Sequence, residues 1–511
     1  MPEKVLKKLS VSVLPQWKVC FFASILAGLF AHLYKITNWL PNWDSLVFRY
    51  DGQNMIALGR WFLPVVCAPS SFYDLPFLSG LLAIVFHALG AVCICKILNV
   101  QKKVTAALIG AVLVSFPTVT SVMMYNYVAD GYSIAFFLAA LAALYLTSEK
   151  PKFLLASVLI ALSVGIYQAY ITVTVMLVLL KLLDEMIYHK KTLGTVLKQA
   201  GKILLFGILG VVIYGVVLKL LLGVYSVELL DYQGVNTAAS LSGLNLRDSL
   251  YVIRQTFLGC FFDVFRGVRV SVVINAVIFL VTLVSSVIHI IRARLYRKPM
   301  TLLSMFILGI LLVLGAGALA FVNAGVDYHN LMLMGYAVFY LFFLILYERK
   351  PTTVKCWIVL TVAVVLIANQ VVIANVSYHK AQIAYEKSYG VLLRIADRIE
   401  QTPGAEDCAR ILVVGALDNS EAYSVNLAPD ITGITDGYII RADDETVGQS
   451  VLCSALSDYC EMDYEFVSGA EKQQLMQREP VSSMGKWPAK DCVAVVDDTV
   501  VIKLGTEGEN E

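Results

Sequence analysis

The stretch PFLSGLLAIVFHALGAVCICKILNVQKK, residues 76–103, decides how the rest of the chain is read. Between residues 76 and 98 Lys96 is the one formally charged side chain. A helix needs about 20 mostly apolar residues to cross a bilayer, and this run supplies them. It ends on Lys102 and Lys103, the kind of short basic flank that stays on the cytoplasmic side. Further runs of this kind lie near 17–36, 104–124, 131–147, 153–168, 170–187, 201–223, 270–291, 301–323, 329–347 and 354–375. The reading is a mainly α, polytopic membrane protein with about eleven spans. The pair at 153–187 reads as two short crossings interrupted only by GIYQAY.

Composition agrees. A chain of 511 residues could make several soluble domains, but 58% of it is hydrophobic and 15% charged, with mean hydropathy +0.73. Soluble domains carry roughly 25% charge. A conventional soluble enzyme and a long disordered polymer are both excluded. The net charge of +2 conceals a partition. Residues 1–379 carry 29 Lys and Arg against 14 Asp and Glu, whereas residues 380–511 carry 11 against 24. A basic membrane domain (1–379) is therefore joined to an acidic one (380–511).

Every even-numbered connection is basic. Lys4, Lys7 and Lys8 precede the first span, and Lys96, Lys102 and Lys103 flank the second connection. Lys150 and Lys152, then Lys190, Lys191, Lys198 and Lys202, then Arg292, Arg294, Arg297 and Lys298, and finally Arg349, Lys350 and Lys355 mark the others. This predicts a cytoplasmic amino terminus, and an odd number of spans places the acidic domain outside. The first span reads as a retained anchor, because no small-residue cleavage site follows it.

Two outer loops, 37–75 and 224–269, mix aromatic, charged and apolar residues and are expected to form interfacial amphipathic helices. Residues 376–402 read as an amphipathic connector. RILVVGAL (410–417) and CVAVVDDTVVIKLG (492–505) read as strands of a small α/β domain. Its Cys408, Cys453, Cys460 and Cys492 allow three disulfide pairings or free thiols, and the spacing does not choose.

Acidic residues are scarce in the membrane part and gather at the outer loops. The densest cluster is ITNWLPNWDSLVFRYDGQNMIALGRWFLP, residues 36–64. Asp44 and Asp51 are seven apart and would share a face of a helix. Arg49 and Arg60 suit phosphate, and Trp39, Trp43, Tyr50 and Trp61 offer flat surfaces to a sugar ring or to the lipid interface. MMYNYVADGYSIAFF (123–137) places Asp130 at an outer turn, GIYQAYI (165–171) presents Tyr167 and Gln168, and VDYHNLML (326–333) presents Asp327 and His329. Arg247 and Arg254 are further phosphate candidates. The histidines at 32, 87, 189, 289, 329 and 379 form no metal spacing. No cofactor is called for; a divalent ion is compatible with the chemistry but not indicated. Nothing supports nucleic acid binding.

The segments NWDSLVFRYDGQ…LGRWFLP, MYNYVADGYSIAFFLAALAALYL and LSVGIYQAYITVTV, with the closing WPAKDCVAVVDDTVVIKL, resemble the bacterial Gtr-type (type II) glucosyltransferases, polytopic enzymes related to the GT-C class. The resemblance implies transfer of glucose from a polyprenyl-phosphate sugar to a cell-surface polysaccharide or cell-wall polymer outside the bacterial cell membrane, with inversion. It implies a catalytic carboxylate in the first outer loop, which Asp44 matches best, with Asp51 as the fallback. Arg60 and Arg49 would hold the departing phosphate, and Asp130, Tyr167, Gln168 and Asp327 would line the sugar or acceptor pocket. The competing reading is a lipid-linked sugar flippase or transporter. The sequence lacks the repeat symmetry common in such proteins, and its polar residues gather at one face rather than mid-membrane.

Overall fold

The computed structural model describes residues 13–47, 55–70, 74–188, 191, 193–230, 245–263, 269–326, 328–349, 351–415, 417, 431, 433 and 448–505. Arg49, Asp51 and Asp327 lie outside the described residues. By internal contacts the chain divides into two units: Met1–Asn38, Tyr50–Asn375 and Pro429–Thr432 form one, and Trp39–Arg49, Val376–Ala428 and Gly433–Glu511 form the other.

The helices are α1 (Pro15–Thr37), α2 (Trp43–Val47), α3 (Leu63–Cys67), α4 (Pro76–Ile97), α5 (Lys103–Ser115), α6 (Pro117–Met124), α7 (Asn126–Thr147), α8 (Phe153–Ile166) and α9 (Ile171–Tyr188). They continue as α10 (Leu193–Tyr225), α11 (Leu246–Leu258), α12 (Arg269–Arg292), α13 (Pro299–Ala316), α14 (Val338–Ile345), α15 (Thr353–Glu400), α16 (Gly448–Cys460) and α17 (Gly469–Met476). Prolines open α1, α4, α6 and α13, where the missing N–H leaves no helical bond unmade.

The predicted eleven spans are not all found. Among the described residues seven helices are long and apolar enough to cross a membrane, or eight if α5 and α6, bent by 44° at their junction, count as one. Pro117 causes that bend, because its ring and missing N–H interrupt the helix and hold Phe116 extended (ψ 139°). The shortfall has three local causes. At 14 residues, α8 reaches only roughly 21 Å of a ~30 Å hydrocarbon core. Lys181, Asp184 and Glu185 load α9 with charge near its end. The run at 329–347 breaks into two 3-10 turns, Asn330–Met332 and Met334–Ala337, before the eight residues of α14. An average over apolar letters does not register such breaks.

The first unit packs around α7, with 78% of its apolar window buried, against 17% in α10 and 22% in α12. Small residues let the helices approach closely: Ala83, Ala88 and Ala91 of α4 and Ala135, Ala139 and Ala143 of α7 are fully buried. Leu204, Leu205 and Ile208 of α10 and Leu280 and Leu283 of α12 are exposed. Apolar surface on this scale is what a lipid-facing helix presents. The chain is a polytopic, mainly α-helical membrane protein.

At one end of this unit the basic connections are tied together. Arg349 forms a bidentate pair with Asp184 (2.9 and 2.8 Å) and donates to the Leu98 carbonyl (2.7 Å). Lys102 donates to the Tyr347 carbonyl (2.6 Å), and the Gln101 and Lys102 amides donate to Glu348. Of the two segments expected to be outer loops, 224–269 contains an amphipathic helix, α11, capped by the Asn245 side chain. In 37–75 the expected interfacial helix is replaced, among the described residues, by the short α2 and α3 and a 3-10 turn at Ile56–Leu58.

In the second unit, strands β1 (Arg410–Val414), β2 (Glu465–Phe466), β3 (Val493–Val496) and β4 (Thr499–Lys503) form a sheet ordered β2-β1-β4-β3. β1 pairs in parallel with β2 and β4, and β3 with β4 antiparallel through a turn in which Asp497 takes φ 55°. Side chains alternate across the sheet. Ile411, Val413, Val500 and Ile502 face one core with Leu392, Ile395, Val451 and Leu452, while Leu412, Val414 and Val501 face another with Val467 and Leu475. Of the residues read as a connector, 376–402, those up to Glu400 belong to α15. The cysteines Cys408, Cys453, Cys460 and Cys492 are unbridged.

Candidate functional site

Three of the sequence segments singled out above meet in the first unit. The described part of the segment between α1 and α4, 55–70, folds onto the tip between α8 and α9 and onto the start of α7. Gly59 makes the turn, in a left-handed conformation (φ 75°) that L side chains seldom adopt. A Cβ there would meet the Tyr214 hydroxyl at 2.6 Å and Gln168 Nε2 at 2.8 Å. Those two side chains hold the turn: Gln168 Nε2 donates to the Leu58 carbonyl (2.9 Å), and the Tyr214 hydroxyl to that of Gly59 (3.1 Å). The Phe62 amide donates to the Gly165 carbonyl (2.8 Å), and the Trp61 ring lies where a Gly165 side chain would stand.

The turn delivers Arg60 into an aromatic assembly. Its Nη1 donates to the Tyr132 hydroxyl (3.0 Å), and its Cζ lies 4.9 Å from the centre of the Tyr167 ring. Tyr132 and Tyr167 stack with centroids 4.5 Å apart and planes within 11°. The guanidinium is thus oriented by a hydrogen bond and a cation–π contact, at the end of the helices remote from the basic connections. A positive charge held this way can meet a phosphate without first losing side-chain freedom.

Asp130, expected at a turn, lies instead within α7, past its first turn, and is 1% exposed. Its carboxylate accepts from the Ser70 hydroxyl, from the Gly131 amide (2.9 Å) and from the Cys67 thiol (3.7 Å). Cys67 and Ser70 follow Arg60 in the same loop, so Asp130 fastens to α7 the loop that carries Arg60. This is the geometry of a carboxylate that positions others.

Of the predicted residues, the structure therefore brings together Arg60, Asp130, Tyr167 and Gln168. Arg247 and Arg254 stand exposed on α11, whose buried Ile253 packs on Gly317. Among the described residues no hydrogen bond or ring contact links these two arginines to the Arg60 assembly. His329 is half-buried and precedes the 3-10 turn at Asn330. Asp44 is half-buried on α2 and belongs to the second unit, where Trp39 and Leu46 join the sheet-side core. The shared helix face expected of Asp44 and Asp51 falls partly outside the described residues. Among the described residues, no group of three or more His, Cys, Asp or Glu could hold a metal ion.

Sequence reasoning missed Ser70, Cys67 and Tyr214. Tyr214 had a signal, as the hydroxyl in the otherwise apolar stretch Ile203–Leu218 of α10. Lys35, in the last turn of α1, also went unweighed. It is fully buried, and its ammonium has no hydrogen-bond partner among the described residues. Groups this expensive to keep at membrane depth tend to serve function.

The family model for the glucosyl transferase GtrII matches residues 33–346, more than half of the chain. No curated protein and no solved structure matches it. The matched span runs from the last turn of α1 through α14 and contains the whole Arg60–Asp130 assembly. The chain belongs to the GtrII glucosyl transferase family.

Proposed function

We propose that this membrane transferase moves a glucosyl unit from a polyprenyl-phosphate sugar to a polysaccharide or cell-wall polymer at the outer face of the bacterial cell membrane. The observation that carries the proposal is the Arg60–Tyr132–Tyr167 assembly, a fixed guanidinium beside stacked aromatic rings in the family-matched part of the chain. A guanidinium suits phosphate oxygens and aromatic faces suit a sugar ring. An amino terminus inside and an acidic domain outside are favoured by the basic connections, several of which hydrogen-bond to one another at one end of the first unit.

In the reaction, an acceptor hydroxyl attacks the anomeric carbon and the bond from that carbon to the phosphate oxygen breaks. The electron pair leaves with the phosphate, whose growing charge Arg60 offsets, and the hydroxyl proton passes to a carboxylate base. One displacement inverts the anomeric centre. Asp44, with Asp51 as the fallback, is assigned as the base on sequence grounds. Asp130 and Gln168 hold the loop that carries Arg60, and Tyr132 and Tyr167 flank the sugar phosphate.

Purified protein incubated with polyprenyl-phosphate glucose and acceptor should release polyprenyl phosphate and glucosylate the acceptor. Asp44→Asn should abolish release while membrane expression is unchanged. Wild-type turnover by both Asp44→Asn and Asp51→Asn would end the assignment of a first-loop base. A flippase would move the intact lipid between leaflets and release no polyprenyl phosphate.

A further inference from the structure

An open groove lies at the basic end of the first unit, between α12 and the start of α15. Along α12 its wall is built from Leu280, Val284, Ile288 and Arg292, one residue every four, so these side chains occupy one helix face. From Leu280 to Ile288 that face runs for roughly 12 Å, most of the depth of one leaflet's hydrocarbon. Opposite stand Val354 and Ile358 of α15. Leu280, Val284, Ile288, Val354 and Ile358 are all well exposed, so the walls of the groove are apolar and open.

The mouth of the groove is cationic. Arg292, Arg349 and Lys355 line it, and none of its lining residues is acidic. Asp184 already neutralises Arg349, whereas Arg292 makes no ion pair among the described residues. Lys355 Nζ donates to the Arg349 carbonyl (2.5 Å), which holds the ammonium at the mouth. An apolar slot about a leaflet deep, capped by positive charge, matches an amphiphile with an anionic head and hydrocarbon tails.

We propose that this groove is a binding site for an anionic phospholipid, its phosphate at Arg292 and Lys355 and an acyl chain along Leu280–Ile288. The site lies at the end remote from Arg60 and is independent of the proposed transferase chemistry. Its occupant bridges α12 and α15, and it selects membranes rich in acidic lipid. Basic pockets between spanning helices on the cytoplasmic side bind anionic head groups in this way.

The test uses the full-length protein in lipid nanodiscs with trace spin-labelled phosphatidylglycerol or spin-labelled phosphatidylcholine, reading the motionally restricted fraction by electron paramagnetic resonance. Phosphatidylglycerol should be favoured. Each of Arg292→Gln and Lys355→Gln should weaken that preference about 5-fold and the pair about 30-fold, from the electrostatic worth of one basic residue at an anionic surface. Val284→Trp, which fills the groove and leaves its charge intact, should displace the lipid as well. Arg292 is exposed, so its variant is expected to fold, and the tryptophan variant tests the slot separately. Inorganic phosphate should not compete, because it lacks the chain that the walls receive; effective competition would identify a soluble-anion site instead. Equal restriction of the two lipids by the wild type, or an undiminished preference in the double variant, would overturn the proposal.

Discussion

Asp130 offers the sharpest test of how the site is built. It is 1% exposed and accepts from Ser70, Cys67 and the Gly131 amide. If it fastens the Arg60 loop to α7, its effect on transfer runs through Ser70. A buried hydrogen bond of this kind contributes about 1–3 kcal/mol, and leaving each buried donor without an acceptor costs about as much. Asp130→Ala removes the acceptor of both the Ser70 hydroxyl and the Cys67 thiol and should cost about 1–3 kcal/mol, a sizeable part of a typical folding free energy. Ser70→Ala and Asp130→Asn should each cost about 1–2 kcal/mol. Combined, they should cost less than their sum by about 1 kcal/mol, because each removes the same bond. Reversible unfolding in mixed micelles measures the cycle, and turnover of polyprenyl-phosphate glucose on the folded fraction gives the functional side. An anchor predicts that Ser70→Ala and Asp130→Asn raise KM together and lower kcat modestly. Additive stability effects would remove Ser70 from the anchor. An Asp130→Asn variant with wild-type stability and no turnover would show that Asp130 acts on the reacting atoms, and the reasoning above would fail.

Other outcomes follow from the same structure. Arg349→Met leaves the fully buried Asp184 carboxylate without its partner and should cost about 3–5 kcal/mol, whereas adding Asp184→Leu should recover most of the loss; unfolding in mixed micelles checks both. Gly165→Ala puts a Cβ 2.7 Å from the Trp61 ring and should cost about 1–3 kcal/mol as the loop carrying Arg60 is pushed away, with a matching rise in KM for the donor. In the second unit, the hydrogen bond from Arg410 holds Glu471 below its ordinary value of 4.5. That pair therefore contributes stability above pH 4.5, and the contribution disappears as the pH falls through the lowered value. The stability difference between wild type and Glu471→Gln, followed by circular dichroism, should be present at neutral pH and vanish in acid, and a difference that grew on acidification would contradict the sign.

Much of the protein was legible in its letters. The apolar runs sit where the helices are, because a membrane span is a local property of about 20 residues and needs no partner to be recognised. Strands β1, β3 and β4 fall on RILVV and on the two halves of VAVVDDTVVIK for a similar reason: short β-branched runs bounded by turn residues carry their own signal. The breaks were harder to see. Pro117 lies in plain sight, but the fraying of 329–347 into 3-10 turns depends on what surrounds it, and the end of α8 at Ile166 is set by the extended Tyr167 that follows.

The site shows the same division. Arg60, Asp130, Tyr167 and Gln168 stood out as rare polar or charged letters beside apolar runs. That is a statement about composition and needs only the sequence. Their meeting is a statement about residues up to 110 positions apart, such as Leu58 and Gln168, and the turn at Gly59 and the tip at Gly165 decide it. The role of Asp130 as an anchor rests on donors from a distant loop, Ser70 and Cys67, which carry no mark in the sequence. Composition and apolar periodicity, being local, determined the compartment and class of this protein. Only the packing of distant segments decided which polar groups face one another, because a hydrogen bond or a stacked ring exists only between groups that the fold has already brought together.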